Sequence, residues 1–156
     1  MAGPHAILTP EERARIHAQA VAEYPAECCG VILVREEGER SLLACRNIQN
    51  ELHLKDPARY PRDARTAYYI DPKDLLAIGR REAEGYRVAT IYHSHIDAGA
   101  YFSETDKRNA LVNGEPAYPE AAYVVVSVLE GRVAATAAFR WEGDGRDFVP
   151  ADLGMA

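Results

Sequence analysis

The sequence predicts one α/β domain, with strands interleaved by helices, and three observations point to it. Its 156 residues suit a single compact domain. Its 47% apolar content suffices for a core that needs neither disulfides nor a structural metal, since a chain of this size buries roughly 68–70% of its unfolded surface. Along the chain, β-branched runs alternate with capped helix signatures. We assign residues 1–141 to the domain and expect the stretch 142–156, rich in Gly, Asp and Pro, to be a poorly ordered tail.

Thr9-Pro10-Glu11-Glu12 starts a helix, because the threonine can cap free N–H groups, proline suits the first turn and Glu12 can reach back to the cap. The helix runs to about Tyr24, where Pro25 stops it. Cys29 to Val34 is a continuous apolar run expected of a strand buried on both faces. Glu36-Glu37-Gly38 turns the chain into a second, antiparallel strand from Glu39 to Ile48. From Gln49 to Arg65 the residues are polar and without sustained period, so we expect a long loop, functional or mobile. Tyr68 to Ile70 reads as a short strand, and Asp71-Pro72-Lys73-Asp74 opens a helix that ends near Gly85. Strict alternation over Arg87 to His95 places Ala89, Ile91, His93 and His95 on one face, with Val88, Thr90, Tyr92 and Ser94 on the other. Ser103 opens a helix through about Asn113, ended by Gly114 and Pro116. Ala121 to Leu129 is a strand, Glu130-Gly131 a turn, and Arg132 to Trp141 a returning strand.

Eighteen basic against 24 acidic side chains give a net charge of −6, the wrong sign for tracking phosphates, so nucleic acid is disfavoured as a partner. No apolar run nears the roughly 18 residues of a membrane span, and Met1 to Glu11 lacks a basic start followed by an apolar stretch. Three cysteines, two of them the adjacent Cys28 and Cys29, give no disulfide framework and no C-x-x-C pair. Together these predict a cytoplasmic protein.

His93-Ser94-His95 carries the first chemical signal. Residues two apart on a strand point the same way, so both imidazoles can meet one ion, most commonly zinc. Alone, such a pair at a strand end is more often an exposed or hydrogen-bonded one than a metal site. Asp106 is the best third ligand, because the loop from Ile96 to Phe102 can fold back and set the next helix beside the strand end. Ser103-Glu104-Thr105-Asp106 is also an S-x-x-D capping pattern with a purely structural reading. Two histidines and a carboxylate leave a zinc position open for water, as in catalytic sites.

Hydrolysis also needs a proton carrier, worth roughly 10²–10⁴ in rate. Glu27, directly before the apolar segment, is the candidate; the alternative is a solvated loop residue. Gly30 either admits a close approach or marks a bend. Cys28 or Cys29 as a nucleophile paired with a histidine is a rival reading, weakened because no basic neighbour lowers a thiol pKa there. Cys45 reads as packing, and His5, His17 and His53 as surface residues without partners at ligand spacing.

Glu27, His93-Ser94-His95, seven residues, Ser103, two residues and Asp106 together resemble the E, H-x-H-x7-S-x2-D pattern of JAMM (MPN+) metalloproteases. Pro25-Ala26-Glu27-Cys28-Cys29-Gly30 and Tyr92-His93-Ser94-His95 are similar to the two leading blocks of the short bacterial members. The resemblance implies a cytidine-deaminase-like fold: a mixed, curved sheet flanked by helices, with the metal at the sheet's edge. It also implies one zinc per chain on His93, His95 and Asp106, with Glu27 shuttling the proton and Ser103 hydrogen-bonding the water or the developing oxyanion. Many relatives carry proline after the second histidine, whereas here Ile96 leads into Asp97-Ala98-Gly99-Ala100-Tyr101-Phe102. That stretch reads as a mobile rim or hydrophobic clamp, or as aromatics tucked against the sheet.

The family cleaves bonds after the Gly-Gly tail of ubiquitin-like proteins. For this chain the resemblance implies a sulfur-carrier protein as substrate, with release of cysteine, as in cysteine biosynthesis, or trimming of the carrier. An isopeptidase of a bacterial ubiquitin-like conjugation or antiviral system would share the chemistry, and a non-catalytic MPN scaffold is the binding-module alternative. Arg59, Arg62 and Arg65 of the long loop are candidates to bind the carrier's body. The sequence leaves the oligomeric state open, a homodimer included.

Overall fold

A computed structural model describes residues 6–153. His5 lies outside them, as do the last three residues of the expected tail. Helix α1 (Pro10–Glu23) begins as the sequence predicts. The Thr9 hydroxyl accepts from Glu12 N at 3.1 Å, and Glu12 Oε1 accepts from Thr9 N at 2.9 Å. The same carboxylate holds Arg40 at 2.8 Å, which ties the helix start to the sheet. Strands β1 (Cys29–Arg35) and β2 (Arg40–Cys45) form the expected hairpin, with Gly38 supplying its positive φ of 95°.

The expected long loop instead begins with a helix, α2 (Gln49–Lys55). Its start has no side-chain cap and its Leu54 is 81% exposed, so neither of the signals that mark a helix in sequence was present. Residues 56–69 are irregular. Tyr68 to Ile70 is not a strand: it contributes one bridge, Ile70 to Asn47. Helix α3 (Pro72–Ala83), capped by Asp71, leads through Gly85 into β3 (Tyr86–Ile96).

The alternation predicted for β3 fails at one residue. Ile32 of β1 pairs with Thr90 and Leu33 with Val88, so Ala89 is bulged. The bulge swaps faces, and Val88 joins Ile91 in one core layer while Ala89 packs with Tyr92 in the other. Beyond it, His93 and His95 share the Ile91 face as expected.

Helix α4 (Glu104–Ala110) is shorter than expected. Asn113 and Gly114, both with positive φ, turn a two-residue hairpin of β4 (Leu111–Val112) and β5 (Glu115–Pro116). Strands β6 (Ala122–Leu129) and β7 (Arg132–Glu142) follow as predicted. The tail expectation is corrected by β8 (Asp147–Ala151), which pairs with β7 and buries Phe148 against Trp141 and Tyr123. The aromatic Phe148, not the surrounding Gly and Asp, decides that segment.

The mixed sheet has the order β2-β1-β3-β6-β7-β8. Only β3 and β6 run parallel, which obliges the connecting α4 segment to start at the C-terminal end of β3. On one face α1 packs Ile16 and Ala20 on Ile32, Tyr92 and Val124. On the other, α3 and α4 bring Ile78 and Ala110 to Val31, Ile91 and Val125. Among the described residues no helix is long and apolar enough to cross a membrane.

Gly30 pairs with Tyr92 on β3, and a Cβ at Gly30 would fall within the Tyr92 ring. Its absence of side chain therefore serves a close approach, not a bend. Gly30→Ala is expected to cost about 1–3 kcal/mol, read as a lower urea midpoint with unchanged slope.

Candidate metal centre

The register of β1 on β3 assembles the centre. Cys29 lies opposite His93, and one step on, Cys28 N donates to Ser94 Oγ at 2.8 Å while Ser94 N donates to Cys28 O at 3.1 Å. Facing residues share a face and the period is two. Glu27 is thereby aimed to the same side as His93 and His95. It is only 5% exposed, which removes the solvated-loop reading. Its backbone is fixed on both sides: Glu27 N donates to Ala64 O at 2.7 Å, and Glu27 O accepts from Asn47 Nδ2 at 2.8 Å.

Asp106 arrives from the other direction. Ser103 caps α4, its Oγ accepting from Asp106 N and its own N donating to Asp106 Oδ2, both at 3.0 Å. The capping box is present, and it leaves the ligand reading open to Asp106, because the same Oδ2 lies 3.2 Å from His93 Nε2 and 3.2 Å from His95 Nε2. The two Nε2 atoms are also 3.2 Å apart. This equilateral triangle sits at the C-terminal end of β3, an interior strand, so the expected edge is an end of the strands and not the lateral margin of the sheet.

The donor set fits a divalent cation. Ligands about 2.0–2.1 Å from a tetrahedral zinc stand roughly 3.3 Å apart. His95 Nδ1 lies 2.8 Å from Gly99 O, a carbonyl that can only accept, so the ring carries its proton there and presents a lone pair at Nε2. That lone pair faces a carboxylate oxygen 3.2 Å away, a repulsive contact unless a proton or a cation lies between. His93 is fully buried and its Nδ1 has no hydrogen-bond partner; Tyr68 stacks on its ring with centroids 4.6 Å apart.

Electrostatics agree. Burial lowers the pKa of His93 against the raising effect of Asp106, favouring the neutral ligand form. Burial would raise Asp106, but the two imidazoles outweigh it and hold its carboxyl well below the usual range. Burial, with the Asp106 charge added and Arg62 opposing, pushes Glu27 up to about 9. The thiol alternative fails on the same grounds, since burial raises Cys28 to about 12 and Cys29 further still. Cys45 is buried as packing, as expected.

Among the described residues the two remaining histidines stand apart from the triangle: the Nε2 of His17 meets Thr136 Oγ1 at 2.7 Å, and the Nδ1 of His53 meets Tyr60 O at 2.7 Å. The two loop aromatics divide. Phe102 is core, against Tyr123, Phe139 and Phe148, while Tyr101 is 53% exposed and meets His95 edge-on at 4.9 Å. Sequence reasoning missed Tyr68, whose apparent strand context hid its place over His93. It also missed Gln49 and Asn50, which hold the loop beside Glu27 through Arg62 O and Ala64 N.

Residues 9–142 match the family of prokaryotic homologs of the JAB domain. The chain is 38% identical over 93 residues to tail tip assembly protein K of Escherichia phage N15, covering 59% of this chain and 31% of that protein. It is 31% identical over 111 residues to the CysO-cysteine peptidase of Mycobacterium tuberculosis, covering 70% of this chain and 64% of that protein. The chain thus spans less than two thirds of the length of these relatives. A solution structure of a protein from Salinibacter ruber superposes with a TM-score of 0.60 at 26% identity, covering 95% of this chain and 90% of that one. Another from Desulfitobacterium hafniense gives 0.64 at 19% identity over 95% and 89%, a likeness of fold.

The raised pKa of Glu27 sets a pH dependence for chelator-treated protein. The folded state holds this proton where the unfolded chain releases it, so stability falls as pH rises from about 4.5 towards about 9, by at most about 1.4 kcal/mol per pH unit. Glu27→Gln is expected to flatten that slope, seen as a melting-temperature advantage over wild type that grows from pH 5 to pH 9.

Proposed function

The chain belongs to the family of prokaryotic homologs of the JAB domain, and on that premise we propose a zinc-dependent peptidase. It hydrolyses the bond after the C-terminal Gly-Gly of a ubiquitin-like sulfur-carrier protein, releasing cysteine or trimming the carrier. The observation that supports this best is the convergence of His93, His95 and Asp106 at 3.2 Å with the buried Glu27 aimed to the same face. The similarity to a CysO-cysteine peptidase supports the choice of substrate.

His93 Nε2, His95 Nε2 and Asp106 Oδ2 would hold the zinc. When bound, zinc supplies Lewis acidity and lowers the pKa of water at the position its three protein ligands leave open. The Glu27 carboxylate takes a proton from the attacking water. The water oxygen bonds to the glycine carbonyl carbon, the C–N bond breaks, and Glu27 returns the proton to the departing amine. Its burial favours this use, because a desolvated carboxylate is a stronger base than one in water. The Ser103 hydroxyl already accepts from Asp106 N, which leaves its proton to donate to the developing oxyanion. Gly99 O keeps His95 in the ligating tautomer.

Elemental analysis of protein purified without chelator is expected to find one zinc per chain, lost in His95→Ala and Asp106→Ala. Protein devoid of zinc would overturn the reading. Glu27→Gln is expected to keep its zinc and to cut a carrier-cysteine fusion at least about 100-fold more slowly, followed by intact mass. Turnover by that variant at the wild-type rate would refute the proton-shuttle role.

A further inference from the structure

We propose that Arg62 binds the free α-carboxylate of the departing residue, so that the cleft beside Asp106 receives a single C-terminal amino acid. This deepens the reading above and rests on it.

The cleft encloses about 520 Å³, within the roughly 300–1,000 Å³ of small-molecule sites. Tyr60, Tyr68, Ile70 and Tyr118 wall it, Asp106 is its acidic lining residue, and Arg59 and Arg62 are its basic ones. It therefore runs from Asp106, the one candidate metal ligand in its lining, to a pair of cations.

The three arginines of the loop do not form one surface. Arg65 Nη2 is committed to Asp97 at 3.3 Å and does not line the cleft, and the Arg59 guanidinium lies over the Tyr60 ring at 5.4 Å. Among the described residues Arg62 pairs with no carboxylate, and its side chain makes one long hydrogen bond, Nη1 to Thr66 O at 3.5 Å. Most of the guanidinium's five donors are free for a ligand. Its backbone is nevertheless held firmly. Buried Gln49 donates to Arg62 O at 2.8 Å, Asn50 Oδ1 accepts from Ala64 N at 2.7 Å, and Ala64 O accepts from Glu27 N at 2.7 Å. Through these bonds the segment that carries Arg62 is fastened to the residue assigned the proton, and the Arg62 charge is felt at the Glu27 carboxyl.

Chemistry then sets the side of the bond that Arg62 serves. Glu27 must reach the departing nitrogen, and the segment that carries Arg62 is bonded to Glu27 through Ala64 O at 2.7 Å, so we place Arg62 on the leaving-group side. A terminal amino acid carries its carboxylate one carbon beyond that nitrogen's Cα. A lysine side chain leaving an isopeptide bond carries none there. A guanidinium fork binds a carboxylate with two parallel hydrogen bonds, so Arg62 selects for terminal over isopeptide substrates.

The test compares a sulfur carrier whose Gly-Gly is extended by one cysteine, prepared as the free acid and as the carboxamide, with zinc-loaded enzyme under reductant. Wild type is expected to favour the acid by at least about tenfold in kcat/KM. Arg62→Gln is expected to bring that ratio near one by slowing the acid alone, with Arg62→Lys between the two. Equal rates for acid and amide in wild type, an undiminished ratio in Arg62→Gln, or equal loss on both substrates would each overturn the proposal while leaving the peptidase reading intact. Cleavage of neither substrate by wild type would overturn both.

Discussion

The reciprocal pair between Cys28 and Ser94 is the constraint on which the rest of the centre depends. Backbone N–H to Ser94 Oγ and backbone N–H to Cys28 O fix the offset of β1 on β3 at its far end. A slip of one residue would turn every following side chain to the opposite face. Glu27 would then point into the α1 layer, where a carboxylate has no compensation. The Gly30–Tyr92 contact two residues on enforces the same offset sterically, because Gly30 is the one residue of β1 without a Cβ to meet that ring. The site's geometry is thus inherited from the packing of the sheet, and the loops only complete it.

Legibility in the sequence follows from how local each signal is. The caps at Thr9, Asp71 and Ser103 and the turns at Gly38 and Glu130-Gly131 are decided within four residues, and all are as read. The five candidate site residues stood out because the H-x-H and S-x-x-D spacings have chemical meaning and Glu27 directly precedes an apolar run. What was not legible depends on partners far away in the chain. The bulge at Ala89 arises from the β1 pairing, and β8 forms because Phe148 finds an aromatic cluster. Helix α2 is held by the contacts of Gln49 and Asn50 to the 62–64 segment, not by propensity or an apolar stripe.

The loop after His95 shows how a missing proline is compensated. Asp97 adopts a φ of 53°, and its carboxylate accepts from the Tyr24 hydroxyl, Glu130 N and Arg65. Three separate elements therefore anchor the first loop residue, and Ser127 Oγ donates to Ala98 O. These bonds deliver Gly99 O to His95, so the rigidity that proline would bring through covalent geometry comes here from a polar network.

Oxygen Oδ2 of Asp106 serves two masters: the Ser103 amide and the two imidazoles. That double use shapes how the domain can drift. An asparagine at this position keeps an oxygen for the Ser103 amide, and with it the helix start, while it surrenders the negative charge. A single substitution can therefore weaken the candidate metal centre and leave the architecture standing. Robustness of the helix start and fragility of the proposed metal binding meet in one atom, which would give a lineage of such domains an easy passage between metal-holding and metal-free forms.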